Sequence, residues 1–236
     1  MMIGFFLSTI MLDSGNEIRD FVSLILNDVG SKIPDWSKSI SFYNDAKLKD
    51  EIVQNNQTIE NLAKKNVELE KNLDKNNYYK SILYQTGYAL VSVVFDILQK
   101  LIGIDLSDFK DVKREDFSFV IENCHFVGEI KGVSDGLKNQ YPSQVETHIQ
   151  EYLEEKNVKK AKGILIIAYE RNKPLEERNK VAAKQINYAV RNNILIITTD
   201  VLLDIFETYL NGTFDKDLFL KYISEETGCM PKGWNK

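Results

Sequence analysis

An α/β sandwich around a central mixed sheet, preceded by a long coiled-coil helix, is the architecture this 236-residue sequence predicts. Three observations lead to it. Leu48, Ile52, Asn55, Ile59, Leu62, Asn66, Leu69, Leu73 and Asn76 recur at alternating spacings of four and three, a heptad seam. Two short β-rich runs, FSFVI at 117–121 and HFVGEI at 125–130, flank a turn holding Asn123 and read as a hairpin. Two almost wholly apolar runs, GILIIA at 163–168 and NILIIT at 193–198, alternate with helical stretches, as strands covered on both faces do.

The chain divides on this reading into a strand and helix segment over 1–46, a coiled-coil helix over 47–78 and an α/β domain over 79–236. Ile3 to Leu12 reads as a buried strand. Residues 16–29 place Ile18, Phe21, Val22, Ile25, Leu26 and Val29 on one face of an amphipathic helix that Gly30 stops. Pro34, Trp36 and several serines make 31–46 an irregular connection. Most positions between the seam residues of the next helix are Glu, Lys, Asn, Asp or Gln, so the seam needs a partner. That partner is either a second chain or the helix's own domain. Asn at three seam positions restricts register at the expense of stability.

From Tyr78 to Ile102 the helix turns apolar; Gly87 marks a bend or a close helix contact and Gly103 the end. After the hairpin, 143–157 is helical with Val145, Ile149, Tyr152 and Leu153 on one face. Leu175 to Arg191 reads as helix. Asp200 caps a helix that stops at Asn211-Gly212, and a last helix over Asp215 to Thr227 precedes the tail GCMPKGWNK.

Composition narrows the function classes. Hydrophobic content of 43% supports an ordinary core, and the net charge of −5 confines any nucleic-acid contact to a local basic patch. Cys124 and Cys229 are too few and too distant for a disulfide scaffold or zinc site and read as reduced thiols of a cytoplasmic protein. The apolar opening MMIGFFLSTIML is shorter than the roughly 20 residues of a bilayer crossing and has no leading Lys or Arg, so neither a membrane span nor a signal peptide is expected. The abrupt start leaves open a further sensor or motor domain.

The chemistry concentrates on the hairpin. Asp116 opens the first strand; Glu129 and Lys131 end the second and, two apart, share one face while Ile130 takes the other. Two carboxylates, an ammonium and the Ile130 carbonyl suit a hard cation such as Mg²⁺, with Mn²⁺ as substitute, and phosphodiester hydrolysis. Taken singly, Asp116 is a strand-entry residue and Glu129 with Lys131 an exposed ion pair worth little. Lys110, Lys113 and Arg114 read as phosphate contacts or a solvated loop. Lys156, Lys159, Lys160 and Lys162 read as a second basic run or a helix end. His125 reads as structural and Tyr152 as core.

REDF, ten residues and GEIKG resemble the PD-(D/E)xK nuclease superfamily, the restriction-endonuclease-like fold. The resemblance runs from about Tyr79 to Thr198 and implies that Asp116, Glu129 and the Ile130 carbonyl bind Mg²⁺ while Lys131 assists the attacking water. Some members carry Q-x-x-x-Y on the next helix. In QVETHIQEY one register keeps Gln144 with His148 in the Tyr place; the other keeps Tyr152 with His148 in the Gln place. The segment KGILIIAYERNKPLEER is similar to restriction-like prokaryotic sequences. The chain departs from the pattern at the first helix, where ALVSVV lacks the Glu and Asp96 is the nearest acid, and at Glu115, which stands for Pro.

The expectation is a Mg²⁺-dependent endonuclease acting on DNA, or RNA, dimerised through residues 48–76 and serving prokaryotic defence. The alternative is a catalytically inactive nuclease-fold scaffold that recruits partners.

Overall fold

A computed structural model describes residues 15–29, 33–104 and 116–235. The expected strand over 3–12 and the basic residues Lys110, Lys113 and Arg114 lie outside these. Contacts divide the chain into two units, Met1–Val67 and Glu68–Lys236.

The first unit contains helix α1 (Gly15–Val29), a 3-10 turn at Asp35–Ser39 and the start of α2 (Asp45–Lys80). Pro34 supplies the extended residue before the 3-10 turn, and Ser37 N donates to its carbonyl at 2.9 Å. Helix α2 runs unbroken for 36 residues and buries only Tyr79. Seam residues Leu48, Ile52, Ile59, Leu62, Leu69 and Leu73 are each exposed, from 46% at Leu48 to 63% at Ile59. Glu60 pairs with Lys64 at 2.7 Å and Lys47 with Glu51 at 3.8 Å, the i,i+4 support that a solvated helix uses.

The apolar run over 78–102 is two elements that break just before Gly87, where a bend is one of the expected readings. A 3-10 turn at Ser81–Leu83 ends α2, and helix α3 (Gly87–Ile102) starts afresh. Thr86 is extended and Gly87 takes a φ of 57°, so hydrogen bonding cannot carry through. Thr86 Oγ1 donates instead to Gly132 O at 2.9 Å, tying the break to the sheet.

The sheet has five strands in the order β1 (Phe117–Ile121), β2 (Cys124–Gly132), β3 (Lys162–Ala168), β4 (Ile194–Thr198) and β5 (Gly228–Cys229). β1 and β2 are antiparallel and every other pair is parallel, which makes the sheet mixed. Glu122 and Asn123, with φ of 48° and 69°, form the two-residue turn that right-twisted hairpin strands require. One face, with Phe126, Ile130, Ile164, Ile166, Leu195 and Ile197, packs against α3, α6 (Thr199–Leu210) and α7 (Lys216–Glu225). The other face, with Val127, Leu165, Ile167, Ile194 and Ile196, packs against α4 (Gln140–Lys156) and α5 (Ala183–Arg191). Continuous burial of β3 and β4 on both faces explains their uninterrupted apolar runs.

Three further expectations need correction. Leu175–Arg191 is helical only at the 3-10 turn Leu175–Glu177 and in α5, because Arg178 is extended and Asn179 N is captured by Glu170 at 2.7 Å. Thr198, not Asp200, is the N-cap of α6; Asp200 lies in the first turn and pairs with Lys232 at 3.0 Å. The tail contributes β5, extended by Met230 N donating to Ile196 O at 2.9 Å. Gly103 ends α3 and α6 stops at Leu210, before Asn211-Gly212, as expected. Among the described residues no single helix is long and apolar enough to cross a membrane.

Candidate active site

Strand register sets the site. Phe117 lies opposite Gly128, and Asp116, one residue earlier, donates its N–H to Gly128 O at 3.1 Å. A Cβ on Gly128 would stand 2.0 Å from the Phe117 ring, so glycine there lets the ring lie over the strand and fixes where Asp116 enters. Alternation then turns Phe117 and Ile130 toward one core and Asp116, Glu129 and Lys131 toward the α4 side.

Helix α4 comes close to that side because Gly163 has no side chain. A Cβ there would meet Val145 and Ile149 of α4 at 2.9 Å. Gln144 and His148 precede these two residues by one position each, and they reach Glu129. Gln144 Nε2 donates to Glu129 Oε1 at 2.9 Å, and Lys131 Nζ pairs with the same oxygen. His148 Nε2 lies 3.3 Å from Glu129 Oε2, a charge contact without hydrogen-bond alignment. Glu129 is 2% exposed, yet its Oε2 is buried without a hydrogen-bond donor. Such a group carries a desolvation penalty that native structures rarely leave unrelieved.

Asp116 Oδ2 accepts from Ile130 N at 2.6 Å. Residues of a β-strand direct N–H and C=O to the same side, so the Ile130 carbonyl also faces Asp116. Burial pushes the Asp116 carboxyl up to about 6, and the Glu129 charge adds to the rise; the Ile130 N–H, Lys131 and His148 oppose it. His148 is raised above its ordinary value by Glu129, with burial opposing and Glu151 adding support from 3.4 Å. Two carboxylates thus share one buried corner with Lys131 and His148, and burial leaves the Asp116 carboxyl raised despite those cations.

The structure therefore brings together Asp116, Glu129, Ile130, Lys131, Gln144 and His148. Of the two helix registers, Gln144 with His148 reaches Glu129. Tyr152 belongs to the core, with its hydroxyl 3.0 Å from His125 Nδ1, which gives His125 its structural place. Asp96, on α3 across the sheet, pairs with Lys100 and does not join the corner. Glu151 was missed in the sequence, although its spacing of three from His148 is the one signal that finds it. Among the described residues no group of three or more His, Cys, Asp or Glu is arranged to hold a metal; the donors here are two carboxylates and a backbone carbonyl.

A separate cleft of about 690 Å³ opens at the other end of β2 and β3, lined by Cys124, His125, Lys159, Lys160, Lys162 and Arg191, among others. It lies where α4 and α5 end, so its basic residues compensate helix C-termini. Lys162 is buried, donates to the Glu226 carbonyl that terminates α7, and is lowered to about 8 by burial.

No protein-family model matches the chain, and no curated protein matches it. Among solved structures, it is similar to restriction endonuclease FokI, with 12% identity over 61% of this chain and a TM-score of 0.45. A structure of FokI bound to DNA gives 12% identity over 61% and a TM-score of 0.44. The chain spans only 29% and 28% of those chains.

Proposed function

We propose that this chain is a Mg²⁺-dependent nuclease, an endonuclease on DNA, working as a dimer. One observation carries the reading: a buried carboxylate oxygen on Glu129 has no donor, and a second carboxyl, Asp116, is pushed up to about 6 beside it. Asp116 and Glu129 would hold a hard divalent cation, whose charge would offset both penalties. The donor set of two carboxylates and the Ile130 carbonyl suits Mg²⁺, which retains waters and seldom takes more than two carboxylates.

When bound, the cation supplies Lewis acidity to the phosphoryl group and makes a water more acidic. The chain's own groups do the rest. Asp116 and Glu129 fix where the scissile phosphate meets the sheet edge. Gln144 holds Glu129 Oε1 at 2.9 Å, so the carboxylate keeps its orientation. Lys131, 30% exposed at its side chain and anchored on Glu129, extends toward solvent. There it orients the attacking water and offsets charge that develops on the phosphoryl oxygens. Paired chains present two such sites to the two strands of a duplex.

Purified full-length chain is expected to nick plasmid DNA with Mg²⁺ or Mn²⁺. Glu129→Ala and Lys131→Ala are each expected to lose activity by at least about 100-fold, the scale on which transition-state donors act. Undiminished cutting in both variants would reject the site, and cleavage of RNA alone would reassign the substrate.

A second reading, an inactive scaffold, has one observation in its favour: Asp96, the single acid on α3, is engaged with Lys100 instead of reaching Glu129. It predicts a folded chain that binds no Mn²⁺ and cuts neither DNA nor RNA.

A further inference from the structure

We infer that α2 pairs with α2 of a second copy of this chain, parallel and in register. This deepens the dimer part of the functional reading and is independent of cleavage.

Among the described residues every apolar seam residue is exposed, and Tyr79, past the end of the seam, is the buried residue of α2. In heptad terms Ile52, Ile59, Asn66 and Leu73 occupy a, and Leu48, Asn55, Leu62, Leu69 and Asn76 occupy d. Ile at a with Leu at d is the combination that favours parallel two-stranded coils. Asn in the seam requires a polar partner across it. A second copy in register puts each of Asn55, Asn66 and Asn76 opposite itself, a match that an unrelated helix lacks.

Flanking charge supports the same partner. The intrachain pairs Glu60–Lys64 and Lys47–Glu51 engage neither Lys65 nor Glu70. These occupy g and e, and in a parallel in-register dimer Lys65 of each chain faces Glu70 of the other, giving two symmetric ion pairs. The competing antiparallel alignment sets Asn55 opposite Asn66 and Leu69 opposite Ile52, and separates Lys65 from Glu70.

The test uses full-length chain in a Cys124→Ser, Cys229→Ser background. Leu69→Cys should form an interchain disulfide under mild oxidation. In the antiparallel alignment the two Cys would lie roughly 25 Å apart along the axis, at about 1.5 Å per residue. Lys65→Glu should weaken dimerisation by roughly five-fold in sedimentation, and adding Glu70→Lys should restore it. Disulfides formed only when Leu69→Cys and Ile52→Cys chains are mixed, or a monomer at every concentration, would overturn the inference. Plasmid cleavage is read separately, so a failed dimer and a failed nuclease are told apart.

Discussion

Two buried carboxylates in this molecule differ in how their charge is met. Glu170, just past β3 and 5% exposed, accepts from Lys173 Nζ at 2.9 Å and from Asn179 N and Nδ2 at 2.7 Å each. Lys173 first, then the Asn179 N–H, holds it down to about 2. Glu129, 2% exposed, shares one oxygen between Lys131 and Gln144 and has beside the other only the His148 ring nitrogen, 3.3 Å away and out of hydrogen-bond alignment, while burial drives Asp116 next to it up to about 6. The first carboxylate is complete within the chain and organises a loop. The second is not, and on the proposed reading a cation would complete it. Burial alone therefore does not single out a candidate functional group; burial with an unmet oxygen and a repelling neighbour makes Glu129 the candidate.

Replacing each carboxylate by its amide should separate the two most strongly. Glu170→Gln removes the charge that gathers Lys173 and Asn179, and a melting curve should show a drop of several degrees. Glu129→Gln should raise the melting temperature in chelator, because a buried neutral amide carries a smaller desolvation penalty than a buried carboxylate and the repulsion of Asp116 disappears. If both variants melt lower, the corner is not electrostatically strained.

The residues that orient Glu129 should tune metal affinity. Gln144→Ala and His148→Ala are each expected to weaken Mn²⁺ binding by about ten-fold, the lower end of what groups behind a ligand contribute. Lys173→Ala, which touches only the Glu170 clamp, should leave that affinity unchanged. Calorimetric titration of the three variants checks this.

Acidity gives the smallest effect. Asp116 has a folded pKa above its ordinary value, so between about 4 and 6 the folded state binds more protons than the unfolded state, and stability falls as pH rises through that window. His148, also raised, contributes stability that is present below its unfolded pKa and lost as pH rises through its folded one. The metal-free chain should therefore melt a few degrees higher at pH 5 than at pH 8, and saturating Mg²⁺ should reduce or invert the difference. An unchanged pH trend on adding Mg²⁺ would disconnect these two groups from the metal.

Much of this was legible in the sequence, for reasons of range. The heptad seam repeats over about four heptads, and β3 and β4 are read from apolar runs that need no tertiary context. The shared placement of Asp116, Glu129 and Lys131 on the hairpin was legible because strand alternation and a short turn leave it little freedom. The unread features depend on contacts distant in sequence. A bend at Gly87 is among the sequence readings, but not the full break over 81–87, where Thr86 is held by Gly132, far along the chain. The stretch before α5 has helical composition, but Glu170 takes the Asn179 N–H that a helix would use. β5 is two residues long and exists only because β4 offers it an edge.

The central claim is that Asp116 and Glu129 share one divalent cation. Titrating the full-length chain with Mn²⁺, followed by electron paramagnetic resonance, tests it directly. The account predicts saturable binding by the parent chain, with Asp116→Asn and Glu129→Gln each abolishing the same site. Absence of binding by the parent chain, or binding that survives both substitutions, would contradict it.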